Sequence, residues 1–270
     1  MEMLSNAKLN LGLSVIEKRS DGFHNIESLF IPIPWYDKIQ INTSDEFQFK
    51  VNGLAIEGDN ADNTCVKAYQ IIKDRFQIPA ISITLEKNIP MGAGLGGGSS
   101  NAAFIIKAIN ELFDLKISIQ EMEALAAKIG SDCTFFIRNQ TAFVSGVGDK
   151  LEPLKPQNRK FHCLVINPNI HINTAEAYAL LSPKKSNVSL IEAYCGNPNS
   201  WSELMVNDFE APILSKYPML SKLKKELLSL DTFYVTMSGS GSTFYALSSQ
   251  PIPILPSFAN YQFQQFDLEL

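Results

Sequence analysis

The sequence predicts a mixed fold of strands and helices rather than a doubly wound sheet, and three observations carry that expectation. Residues 7–16 and 81–85 alternate apolar and polar side chains, the period of a half-buried strand. Residues 63–76 and 102–113 place apolar side chains at helical spacing. The glycine-rich segment between residues 85 and 102 is followed by helical patterns only. A dinucleotide-binding βαβ unit would need a second parallel strand there.

Composition bounds the class. The chain has 270 residues, 45% hydrophobic and 19% charged, with a net charge of −5. Disorder is disfavoured, and the length suits one large domain or two smaller ones. The acidic balance argues against a non-specific nucleic-acid binder but leaves a nucleotide ligand open. No apolar run approaches the ~20 residues that cross a bilayer. The first residues carry an acid at position 2 and no apolar core of a signal peptide. Cys65, Cys133, Cys163 and Cys195 lie far apart and form no C-x-x-C, so buried reduced thiols are expected. His24, His162 and His171 are too scattered to suggest a metal site. A cytoplasmic protein with no nucleic-acid and no membrane partner is expected.

The elements follow in order. Leu9, Leu11, Leu13 and Val15 face one way, and Lys8, Asn10, Gly12 and Ser14 the other. A turn at residues 20–22 and a second apolar run at 26–33, broken by Pro32 and Pro34, complete a long hairpin. Short strands are expected at 38–41 and 46–51. A helix over 63–76 has Asp62 or Asn63 as its cap. After the strand at 81–85 and the glycine loop, a helix begins near Ser99. Ser118 with Glu121 forms a capping box for the next helix, which Gly130 ends. The polar, proline-bearing stretch 149–160 is the best boundary. A strand at 161–166, helices near 174–181, 189–194 and 219–230, and strands at 232–237 and 243–247 complete the chain. No internal repeat is visible.

Five glycines, Gly92, Gly94, Gly96, Gly97 and Gly98, crowd one loop of a chain with 15. Glycine is entropically costly, so the cluster needs a reason. A strand before and a helix after supply one: peptide N–H groups without Cβ atoms can face a bound phosphate, and the helix N-terminus adds its positive end. Ser99 and Ser100 can add hydroxyls. The loop is not a Walker A motif, because no lysine precedes Ser99. It contains a G-x-G-x-x-G match at residues 92–97, but Asp114, at the distance of a ribose-binding acid, closes a helix instead of a strand.

The run Pro90-Met-Gly-Ala-Gly-Leu-Gly-Gly-Gly-Ser-Ser-Asn-Ala-Ala103 resembles the ATP-binding signature of the GHMP kinases, the galactokinase, homoserine, mevalonate and phosphomevalonate kinase superfamily. Its triple glycine resembles one branch, whose acceptor carries a cytidine diphosphate and feeds non-mevalonate isoprenoid synthesis. Ala7-Lys-Leu-Asn-Leu11 and Arg19-Ser-Asp-Gly-Phe-His-Asn25 are similar to that branch's N-terminal motif. Ser238-Gly-Ser-Gly-Ser-Thr243 is similar to the superfamily's third motif, although a plain Ser/Gly hairpin turn explains it about as well. Residues 130–132, 142–148 and 207–210 fall where the family carries similar segments.

The resemblance implies an α+β sandwich of two domains, roughly 1–154 and 155–270, with the active site in the interdomain cleft. It implies phosphorylation of the 2-hydroxyl of a methylerythritol moiety by ATP, with Mg²⁺ bound alongside the ATP and no dedicated metal cage. Asp132 is the implied base and Lys8 the implied cation beside it. Read without the family, Asp132 is a helix N-cap before it is a base, and Lys8 a solvated strand lysine; the resemblance reverses both readings. Pro90, Met91, Gly92, Ala93, Gly94, Leu95, Gly96, Gly97, Gly98, Ser99 and Ser100 would hold ATP, with Asn63 near the adenine and Ser99 the best contact to Mg²⁺. Phe23 and His24 would meet the cytosine, Tyr178 its other face, and Asn10, Gly239, Ser240 and Gly241 the remainder of the acceptor. Tyr178 otherwise reads as a core residue.

Three departures stand out. Phe23 replaces the family's usual Tyr, Cys133-Thr134 replaces Val-Pro, and the segment after Leu247 is short and rich in proline, which suggests a reduced last helix. A homoserine- or mevalonate-type kinase, or a nucleotide-binding module without transfer, are the rival readings. The chain is expected to act as a monomer or homodimer.

Overall fold

The computed structural model describes residues 1–56 and 58–270. The chain forms two compact units, each discontinuous in sequence. The first comprises Met1–Lys8, Pro34–Met91 and Gly96–Gln140; the second comprises Leu9–Ile33, Gly92–Leu95 and Thr141–Leu270. Strands β1 (Glu2–Lys18) and β2 (His24–Thr43) pair with each other and supply residues to both.

The hairpin is longer than the sequence pattern predicts, because β2 runs on through both prolines. The reason lies in the ladders. Pairing of β2 with β5 (Ala142–Ser145) stops at Phe30, and pairing with β4 (Ile81–Lys87) starts at Lys38. Pro32 and Pro34 fall between, so their missing N–H groups remove no bond from either ladder.

In the first unit β4 lies between β2, antiparallel, and β3 (Gln48–Gly53), parallel. Helices α1 (Thr64–Phe76) and α2 (Gly97–Leu112) pack together, as do α3 (Ile119–Ala127) and α4 (Cys133–Arg138), and α4 also meets α2. Ser118 caps α3 as the sequence predicts, and of the two candidates for α1, Asp62 and Asn63, the cap is Asn63. α2 begins two residues before the predicted start, since Gly97 and Gly98 join its first turn. Ala102, Ile105, Ile106, Ala108 and Ile109 are fully buried, which fixes this helix in place.

In the second unit β5 pairs with β6 (Lys150–Pro153). A four-stranded antiparallel sheet runs β10-β7-β9-β8, from β7 (Lys160–Asn167), β8 (Tyr234–Met237), β9 (Phe244–Ser248) and β10 (Gln262–Glu269). Five helices accompany it: α5 (Thr174–Ala179), α6 (Leu190–Cys195), α7 (Trp201–Leu204), α8 (Glu210–Lys216) and α9 (Pro218–Leu228). Its core joins Leu13, Val15 and Ile26 to Leu164, Ile166, Phe209, Leu223 and Phe244. Pattern reading misses β10. It is an edge strand with little burial, so its glutamines and phenylalanines show no clean alternation.

Cys65, Cys133 and Cys163 are buried free thiols, whereas Cys195 is exposed, contrary to expectation, at the C-terminal end of α6. Among the described residues no helix is long and apolar enough to cross a membrane.

Candidate active site

The first unit gathers Lys8, the second half of the glycine loop and Asp132. Lys8 Nζ lies 3.6 Å from Asp132 Oδ2, with side chains 4% and 30% exposed. β1 delivers the lysine on its polar parity, and the turn into α4 delivers the acid. Burial pushes the Lys8 pKa below its ordinary value, and the Asp132 carboxylate opposes that shift. A Cβ on Gly96 would sit 3.1 Å from Lys8 Cγ and 3.1 Å from the Phe136 ring. Gly96 therefore packs on the aliphatic stem of Lys8 and on the Phe136 ring. Gly96 has a positive φ of 69° and occupies the cap position of α2, so the loop enters the helix through a left-handed residue.

Ser99, half-buried, hydrogen-bonds the Cys133 thiol, whose pKa burial raises to about 11. That thiol stays neutral and is no nucleophile. Thr64 Oγ1 donates to Gly98 O at 2.7 Å, which ties α1 to the loop. Asn63 spends its side-chain oxygen on the Cys65 N–H, at 2.9 Å. Pro90 is buried and Met91 exposed.

The second unit gathers the first half of the loop and the Ser238–Ser242 turn. Ser238 Oγ donates to Gly94 O at 2.8 Å, and Thr243 N approaches Ala93 O at 3.4 Å. Asn10 N donates to Ser238 Oγ, and Asn10 Nδ2 to Ser28 Oγ at 2.9 Å. Thr174 and Ser240 hydroxyls lie 3.3 Å apart. The side chains of Ala93 and Leu95 are buried, so these residues present backbone.

His24 and Tyr178 stack, with ring centroids 4.5 Å apart and planes 16° apart. Tyr178 also meets Phe209 edge-on. Phe23 is 63% exposed at the hairpin tip. Desolvation, with a smaller contribution from the charge of Lys18, lowers the His24 pKa.

Several contacts at the candidate site escape sequence reading. Asn207 Nδ2 donates to Met237 O at 2.7 Å and Gly239 O at 2.9 Å, holding the third loop. Its segment is visible in the sequence, but its partner is not. His171 lies against Gly92, where a Cβ would come within 2.6 Å of the imidazole. No sequence spacing announces that contact.

Two family models match this chain. The model of the GHMP kinases N terminal domain matches residues 63–146, and that of the GHMP kinases C terminal matches residues 187–253. A 4-diphosphocytidyl-2-C-methyl-D-erythritol kinase of Bacteroides thetaiotaomicron is 43% identical over 246 residues, covering 90% of each chain. The enzyme of the same name from Parabacteroides distasonis is 41% identical over 246 residues, covering 91% of each. The crystal structure of a 4-(cytidine 5'-diphospho)-2C-methyl-D-erythritol kinase superposes with a TM-score of 0.81 at 28% identity, over 100% of this chain and 99% of that one. A homoserine kinase from Cytophaga hutchinsonii, at 16% identity and TM-score 0.71, shares the fold. Similarity to these enzymes along most of its length leads to one conclusion: the chain belongs to the GHMP kinases, in the 4-diphosphocytidyl-2-C-methyl-D-erythritol kinase family.

Proposed function

We propose that this chain transfers the γ-phosphoryl group of ATP to the 2-hydroxyl of 4-diphosphocytidyl-2-C-methyl-D-erythritol, giving the 2-phosphate and ADP. The observation that carries the reading is the Lys8–Asp132 pair, whose lysine stem packs against Gly96. Phosphoryl transfer asks the protein for three things: the phosphate held in line, its charge balanced, and the hydroxyl proton accepted. Backbone N–H groups of residues 92–98 and the start of α2 hold the phosphates. Asp132 accepts the hydroxyl proton as the alcohol oxygen bonds to the γ-phosphorus and the bond to the β-phosphate oxygen breaks, leaving ADP. Lys8, 3.6 Å from the Asp132 carboxylate, stabilises the charge that develops at the reacting oxygens.

His24 and Phe23 recognise the cytosine. The imidazole offers hydrogen bonds to the base edge and the exposed Phe23 ring a stacking face, whereas Tyr178, already stacked on His24, does not cover the other face of the base as expected but holds the imidazole in place. Phe23 keeps the stacking face and forgoes a phenol hydrogen bond.

Among the described residues no group of three His, Cys, Asp or Glu side chains could hold a metal. The oxygens near the loop, Ser99 and Asp132, are hard donors and suit Mg²⁺ entering with the triphosphate, with Ser99 as the hydroxyl that would touch it. Bound there, Mg²⁺ supplies charge neutralisation on the phosphates.

The test is ADP formation from ATP with the cytidine-bearing alcohol, homoserine or mevalonate as acceptor. Turnover on the cytidine compound alone is expected. Turnover on homoserine or mevalonate instead, or nucleotide binding without turnover on any alcohol, overturns the reading.

A further inference from the structure

A buried ion pair that the chemistry above does not use sits beneath the glycine loop. Asp37 on β2 and Lys87 on β4 lie one residue beyond the last paired residues, Lys38 and Glu86. They are 0% and 1% exposed, and Lys87 Nζ donates to Asp37 Oδ2 at 2.6 Å. The carboxylate takes three further donors. Asp37 Oδ1 accepts the N–H of Asn88 at 2.7 Å and of Ile89 at 2.8 Å. Asp37 Oδ2 also accepts from Asn101 Nδ2 at 2.9 Å. Asn101 in turn donates to Ser5 Oγ at 2.7 Å, and Lys87 Nζ donates to Ile89 O at 2.5 Å.

Asn88 and Ile89 are the last residues before the loop, and Asn101 is in the second turn of the helix after it. One carboxylate therefore fastens both ends. A Cβ on Gly97 would meet Ile89 Cγ2 at 2.9 Å and Lys87 Nζ at 3.1 Å, so the first helical residue rests on the same cluster. Burying such a pair gives no clear gain in stability, because apolar replacements of similar volume commonly do as well. What a four-donor carboxylate adds is geometry. It fixes two segments at once and removes freedom that the loop would otherwise lose on binding a ligand.

We propose that Asp37, with Lys87 and Asn101, is a positioning cluster that pre-sets the glycine loop for the triphosphate of ATP. The inference rests on the functional reading of that loop. It assigns to residues outside the ligand contacts a share of nucleotide affinity, and none of acceptor affinity.

The test compares the parental chain with Asp37→Asn, Asn101→Ala and the double variant Asp37→Asn/Lys87→Met. Asn101→Ala is the mildest and keeps the comparison available if an Asp37 variant does not fold. Melting temperature, ADP affinity by calorimetry, and steady-state constants well below the lowest melting point are measured. Each folded variant is expected to bind ADP and ATP about tenfold more weakly, the weight of one charge-assisted hydrogen bond. The acceptor KM should stay within about twofold. The double variant should recover melting temperature relative to Asp37→Asn but not nucleotide affinity. Unchanged nucleotide affinity in folded variants, or affinity that returns together with melting temperature in the double variant, overturns the proposal. A parental chain that binds ADP but does not phosphorylate the cytidine alcohol refutes the functional reading while the ADP comparison still decides the cluster. A parental chain that binds no ADP refutes both.

Discussion

The Asp132 carboxylate lies 3.6 Å from Lys8 Nζ and makes no capping hydrogen bond, although Asp132 holds the cap position of α4. The two readings that the sequence leaves open for this residue thus separate by geometry. An aspartate there for helix stability would turn to the free N–H groups of the first turn. This one turns to the lysine. Asp132→Asn should then lower kcat about 100-fold or more, the scale of general-base loss, with ADP affinity and melting temperature little changed. A variant of near-parental rate would return Asp132 to a structural role.

Lys8 contributes a pH limb. Burial lowers its pKa below the ordinary 10.5, and Asp132 only partly offsets this. The ammonium is present below the lowered pKa and is lost as pH rises through it. The kcat/KM profile should therefore fall on the alkaline side at a pH below 10.5. In Lys8→Arg that limb should vanish, because the guanidinium keeps its proton, while the absolute rate drops with the changed geometry. An alkaline limb that persists unchanged in Lys8→Arg would belong to another group.

His24 is held neutral at neutral pH, because desolvation first and Lys18 second lower its pKa below the ordinary 6.5. A neutral imidazole keeps one donor and one acceptor, which matches a cytosine edge. His24→Ala should raise the acceptor KM about tenfold and leave the ATP KM within about twofold. In the parental enzyme the acceptor KM should be flat near neutrality and rise only as pH falls through the lowered pKa. His24→Asn should remove that dependence. An acceptor KM that ignores both substitutions would take the cytosine role away from His24.

Local chemistry was the legible part of this fold. The alternation around Lys8, the cap at Ser118 and the glycine cluster each depend on residues a few positions apart, so pattern reading finds them. The prolines of β2 mislead because their tolerance depends on where two other strands stop pairing. The Asp37–Lys87 pair was half visible. Lys87 follows Ile81, Ile83 and Leu85 on the inward parity of β4, and Asp37 precedes Ile39 and Ile41 on the inward parity of β2. Two charges on core-facing positions call for each other, but only the strand register says that they meet. His171 against Gly92 and Asn207 beneath Gly239 are contacts between distant loops and leave no period in the sequence.

Two glycines of the loop should separate structural need from ligand need. Gly94 has φ +78°, and a Cβ there would lie 1.9 Å from Ser238 O. An alanine would face both left-handed strain, on the order of 1–2 kcal/mol, and a backbone collision that no rotamer relieves. Gly94→Ala should lower the melting temperature by several degrees before any ligand is considered. Gly98 differs on each count. It is exposed in the first turn of α2, its φ is not in the left-handed region, and its Cβ would meet only Thr64 Oγ1 at 3.6 Å. Gly98→Ala should keep or raise the melting temperature, since alanine exceeds glycine as a helix former by about 0.5–1 kcal/mol. Yet its methyl group would stand over the N–H groups assigned to the phosphates, so ATP affinity should fall about tenfold. A Gly98→Ala enzyme with parental ATP affinity would show that these amides do not face the nucleotide. A Gly94→Ala enzyme that melts like its parent would show that the loop is not held against Ser238.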